Sequence, residues 1–110
     1  MHNMTSLKFE VEWDAVNEEE YDVIGGIVTD VYDGNTFSIL VIEEEYDNDY
    51  EYQKHEDVRI FGELAPELNT AGGREAADDL FEEIDGEEVM LCVYGRDKRG
   101  FLIAEYEVVD

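Results

Sequence analysis

The sequence predicts a small, mainly β domain: a barrel of five strands interrupted once by a helix. Three observations lead there. Apolar residues recur with a period of two over several short stretches, which is the pattern of half-buried strands. Only one stretch, around Ala77, Leu80, Phe81 and Ile84, carries apolar residues at helical spacing. Glycine, asparagine and aspartate cluster between the periodic stretches, where tight reversals need them.

The chain has 110 residues, enough for one domain with a core of its own. Leu7–Asp14 alternates apolar and polar and reads as an accessory first strand. Val23–Tyr32 is the first strand of the barrel proper, with Gly25-Gly26 marking a bulge or bend. Asp33-Gly34-Asn35-Thr36 forms a turn, and Phe37–Ile42 returns from it. From Glu43 to Asp57 the chain holds eight acidic residues and three tyrosines, a hairpin tip or mobile acidic loop. Its Asp47-Asn48-Asp49-Tyr50-Glu51 run fails as an EF-hand, with Tyr52 at the glycine position and Val58 at the glutamate position.

The next strand runs through Val58-Arg59-Ile60-Phe61 and ends near Pro66, the only proline. A helix follows Asn69–Gly73 and stops at Asp85-Gly86, glycine being the usual residue just past a last helical turn. Val89–Tyr94 and Phe101–Val108 are the last two strands, joined by a turn with Arg96, Lys98 and Arg99, three of the seven cations. The order is therefore three strands, a helix and two strands behind an N-terminal extension. That is the order of a five-stranded OB-fold Greek-key barrel with a helix between strands 3 and 4. The domain division that follows is an extension over 1–22 and a barrel over 23–110.

Composition bounds the function. Thirty-one acidic residues against seven basic ones give a net charge of −24. Disorder is excluded, because 44% of residues are hydrophobic and fall in periodic runs. A salt-rich cytoplasm is the favoured explanation of such a surface, since at about 1 M ionic strength the screening length shrinks to about 3 Å; the alternative is an acidic surface that mimics nucleic acid or buffers cations. No apolar run approaches the ~20 residues of a membrane span, and the first residues do not form a signal peptide, so no membrane role is expected. Cys92 is the only cysteine, which rules out an internal disulfide and reads as a small buried hydrophobe.

Four short motifs stand in one register: Tyr32-Asp33-Gly34-Asn35-Thr36; Val58-Arg59 through Ala65-Pro66-Glu67; Gly73-Arg74-Glu75-Ala76 with Leu80 and Gly86; and Asp97-Lys98-Arg99-Gly100 before Ala104. Together, over residues 23–108, they resemble the thermonuclease (staphylococcal nuclease-like) domain, and the acidic surface resembles that of haloarchaeal proteins. The resemblance implies the same OB barrel and, in active members, calcium-dependent phosphodiester hydrolysis of DNA and RNA. In that chemistry carboxylates hold a hard cation on the phosphate, two arginines stabilise the developing charge, and a glutamate activates water.

By position, the resemblance assigns Arg59 as the first arginine and Glu67 as the glutamate. Asp33 and Asn35 fall at the metal site, where the family has aspartate at the second position and this chain has asparagine. Leu64 replaces the next metal-binding aspartate, and Phe101 replaces the second arginine. Three departures in one site point to a domain that has lost catalysis and binds a partner. The alternative is a working halophilic nuclease that uses calcium. For the binding reading, Arg96, Lys98 and Arg99 are the basic patch that would meet a protein partner or a single-stranded nucleic acid.

Overall fold

A computed structural model describes residues 20–62 and 67–109. The expected strand at Leu7–Asp14, the extension that carries it, and Leu64 lie outside the described residues. The elements run β1 (Asp22–Asp33), β2 (Thr36–Glu44), β3 (His55–Ile60), α1 (Ala71–Ile84), β4 (Glu88–Arg96) and β5 (Leu102–Val108). The strands close into a barrel in the order β1-β2-β3-β5-β4. Fold class and helix position therefore match the arrangement expected of an OB-type barrel.

The long first strand serves two neighbours. Its N-terminal half pairs with β4 from Asp22↔Val93 to Ile27↔Glu88, and most of its length pairs with β2. A strand shared this way must bend, and the register slips between Gly25 and Gly26, where a bulge was expected. Gly26 also lies against β2: a Cβ there would stand 2.7 Å from the Leu40 carbonyl oxygen. Closure depends on the single parallel pairing, β3 with β5, over Val58↔Leu102, Arg59↔Ile103 and Ile60↔Ala104.

The core follows the period of two. β4 sends Val89, Leu91 and Val93 inward, where they meet Ile24, Phe37, Ile39, Val58 and Leu102. The same alternation turns Cys92 outward and leaves it half-buried on the outer face, correcting its reading as a core residue. From α1, Leu80 and Ile84 enter the core, but Phe81 stays half exposed, so the apolar stripe is narrower than its spacing predicted.

α1 is capped locally at its start and tied to the barrel just past its end. Thr70 is the N-cap: Gly73 N–H donates to Thr70 Oγ1 at 3.0 Å, and that hydroxyl donates to the Glu67 carbonyl at 2.6 Å. Gly73 lies within the helix rather than before it. A Cβ there would fall 1.8 Å from the Glu67 carbonyl oxygen, so only glycine allows this approach. At the other end, Gly86 takes a left-handed φ of 74° and its N–H donates to Val28 on β1 at 3.1 Å.

The acidic 43–57 segment divides three ways. Glu43 and Glu44 extend β2, and His55–Asp57 begin β3, three residues earlier than expected. The middle is tied to β1. The Asn48 side chain bonds both the N–H and the carbonyl of Val23 at 2.9 Å. Buried Asp22 accepts from Asp49 N–H and Tyr50 N–H at 2.9 Å and from the Tyr52 hydroxyl at 2.7 Å. Thus much of what composition marks as a solvated charge run is held by directed hydrogen bonds. Among the described residues no helix is long and apolar enough to cross a membrane.

Candidate functional site

Strand register brings three of the expected site segments together. Thr36, just after the β1–β2 turn, is the partner of Arg59 on β3, and Arg59 is the partner of Ile103 on β5. The turn between β4 and β5, which carries Asp97 to Phe101, therefore stands beside the turn that carries Asp33 to Thr36. The Asn35 carbonyl accepts from Ile60 N–H at 2.8 Å and fastens the first turn to the end of β3.

Asp97 is the hinge of this site. Its Oδ1 accepts from the N–H groups of Arg99 and Phe101, both at 2.9 Å, which fixes the turn with Gly100 at a φ of 92°. Its Oδ2 faces two guanidinium groups: Arg59 Nη1 at 3.5 Å and Arg99 Nη2 at 4.0 Å. The Asp97 side chain is only 4% exposed, whereas Arg59 is 27% and Arg99 66% exposed. The Arg99 guanidinium also lies over the Phe101 ring, 4.8 Å from its centroid. Phe101, at the position the resemblance gives to a second arginine, thus supports an arginine that reaches in from two residues earlier. Sequence reasoning did not assign Asp97 a role; the signal was an aspartate opening an Asp-Lys-Arg-Gly turn, whose side chain can bond the backbone two residues on.

The other expected residues divide clearly. Asp33 Oδ1 accepts from Asn35 N–H at 2.9 Å and from the Thr36 hydroxyl at 2.7 Å, a turn-closing role. Asn35 is buried. No group of three metal-ligating side chains occurs among the described residues. Glu67 is exposed just before α1, and its carbonyl accepts from Thr70. Lys98 is exposed at the tip of the β4–β5 turn.

Arg96 does not share the open setting of Arg99. Glu56 grips it in a bidentate pair, both nitrogens at 3.0 Å, while Arg96 Nη1 also donates to the Gly100 carbonyl at 2.9 Å. The hydrogen bonds that Arg96 donates to Glu56 raise the Arg96 pKa above its ordinary value, outweighing the opposing effect of burial. Its guanidinium lies 5.8 Å from the centre of the Tyr52 ring. The Tyr52 hydroxyl is in turn pushed well above an ordinary phenol, first by burial and then by its hydrogen bond to Asp22. Asp22, Tyr52, Glu56 and Arg96 form one polar network that closes the acidic loop over the barrel. Glu56 takes the inward register of β3, ahead of Val58 and Ile60.

What this arrangement can do follows from charge and access. Two arginines converge on one carboxylate oxygen at distances too long for ideal ion pairs, with one of them mostly in solvent. Arg99, mostly in solvent, is the one of the two that an incoming oxyanion can reach first, with Arg59 beside it. A calcium ion would find a turn aspartate whose Oδ1 already accepts two hydrogen bonds. No family model matches the chain, and no curated protein matches it.

Proposed function

We propose that this chain is a catalytically degenerate, nuclease-like OB-barrel domain that works as a binding module in a salt-rich cytoplasm. One observation carries the reading. Arg59 and Arg99 meet over Asp97 Oδ2 as an anion-binding fork, while Asp33 is engaged in its turn and no three-ligand metal group accompanies them among the described residues. Such a fork binds an oxyanion without supplying the metal that hydrolysis in this class of site requires. The anion belongs to a protein carboxylate or to a phosphate of single-stranded nucleic acid. The net charge of −24 favours the protein, because nucleic-acid affinity rests on neutralising phosphates and weakens in high salt.

A second reading is an active halophilic, calcium-dependent nuclease. Arg99 favours it, because its guanidinium restores a second cation beside Arg59 where Phe101 offered none. Incubation with single-stranded DNA and calcium in multimolar salt separates the two. The binding module leaves the strand intact, and its Arg59 and Arg99 side-chain NMR signals shift on titration with an acidic peptide or oligonucleotide. Turnover that disappears in Glu67→Gln would overturn the binding reading in favour of the nuclease.

A further inference from the structure

A cleft of about 460 Å³ opens beside β4 and β5. Its volume lies in the range of sites that hold a ligand or a few side chains. Met90 and Cys92 on β4, with Ile60 and Phe61 at the end of β3, give it an apolar lining. Glu105 and Glu107 on β5 stand beside them, because the register pairs Met90 with Glu107 and Cys92 with Glu105. Both glutamates are exposed. Met90 is confined from below: a Cβ on Gly25 would stand 3.1 Å from its sulfur.

The glutamates act on the lining electrically. After burial, they are the causes that push the Cys92 thiol above its ordinary pKa, which places both carboxylates within electrostatic reach of the sulfur. The Tyr94 hydroxyl donates to Glu105 Oε1 at 2.6 Å and orients that carboxylate. Among the described residues no lysine, arginine or histidine lines the cleft. An apolar floor edged by uncompensated carboxylates complements one kind of side chain: a long alkyl stem ending in a cation.

We propose that this cleft is a docking site for a basic, extended segment of a partner protein, which lays a lysine or arginine stem on Met90 and Cys92 and its charge between Glu105 and Glu107. Its lining residues are not those of the arginine fork, so the chain would offer one site for an anionic group and another for a cationic one. Apolar contact makes the interaction resistant to salt, since the stem remains buried where screening has weakened the ion pairs.

Cys92, the only cysteine, is a built-in reporter. The full chain is incubated with an octapeptide of alternating lysine and valine, and alkylation of Cys92 by iodoacetamide is followed by mass spectrometry. At saturation the peptide slows alkylation about fivefold or more. Glu105→Gln with Glu107→Gln abolishes the protection. Asp78→Asn with Glu82→Gln, which removes the same charge from exposed positions on α1, preserves it. A glutamate–valine peptide gives no protection, and a lysine–serine peptide gives less than lysine–valine. In the unaltered protein, the Met90 methyl NMR signal shifts with the same peptide dependence, which guards against a variant that fails to fold. Equal loss of protection in the α1 control, equal protection by lysine–serine, or no response at Cys92 and Met90 overturns the proposal. So does a concentration-dependent dimer that shields Cys92 without peptide, which would make a second copy the occupant.

Discussion

Arg96 and Arg99 stand three positions apart on one hairpin, yet one is a structural bolt and the other a poised cation. Arg96 meets Glu56 through two 3.0 Å bonds, and the Glu56 side chain is 5% exposed. Arg99 reaches its acid at 4.0 Å and remains mostly in water. The difference lies in what each acid also does. Glu56 is buried and takes a further bond from Gln53 N–H, so losing Arg96 would leave a charge with no solvent. Asp97 already holds its turn through Oδ1, and its second oxygen is shared between two arginines. Cations adjacent in sequence therefore need not form one patch.

The sharpest way to break this contrast is Glu56→Ala. It strands Arg96 and releases the loop at Gln53. It should cost about 2–3 kcal/mol, below the usual range of about 3–5 for a broken buried pair because Arg96 is partly solvated, read as a fall in urea midpoint at fixed salt. An unchanged midpoint would make the network ornamental.

Alkali probes the same network through Tyr52. Its folded-state pKa is raised, so the native state keeps a proton that the unfolded state releases above pH 10. Stability then falls as pH rises past 10, by up to about 1.4 kcal/mol per pH unit from this group. Tyr52→Phe should flatten that slope, measured from urea midpoints between pH 8 and pH 11. Asn48→Ala, which removes both bonds to Val23, should cost about 1 kcal/mol; hydrogen exchange at Val23 should rise with it. Arg99→Ala is the smallest in stability, within about 0.5 kcal/mol. It should nevertheless abolish the response of Arg59 to an added oxyanion, read from its guanidinium NMR signal.

The fold was legible because period-two burial, glycine bulges and the capped helix agree with one another. Val89, Leu91 and Val93 point inward along an alternating strand. Cys92 was misread because an unbroken apolar run hides which residues face out; only the register of β4 decides that. Phe81 was misread because helical spacing defines a stripe without saying how wide the receiving surface is. At the site, Arg59 and the two turns were visible as sequence motifs. The fork was not, since it depends on Asp97 turning back on its own backbone and carrying Arg99 beside Arg59. The Asp22 and Glu56 network stayed hidden for a related reason: in a chain with 31 acids, nothing local distinguishes two buried carboxylates from the exposed majority.

The parallel seam between β3 and β5 has a kinetic consequence. It is only three residue pairs long and joins segments some 40 positions apart in the chain, while every other strand contact is antiparallel and longer. Short, sequence-distant contacts are the latest to form and the first to open. Arg59 lies on one side of this seam, and Arg99 follows from the hairpin on the other. A ligand that engages both would act as a staple across the barrel's weakest joint. Amide exchange at Phe61, whose N–H donates to the Ala104 carbonyl at 2.8 Å, should therefore slow when the fork is occupied, and the barrel should unzip less often with its partner than without.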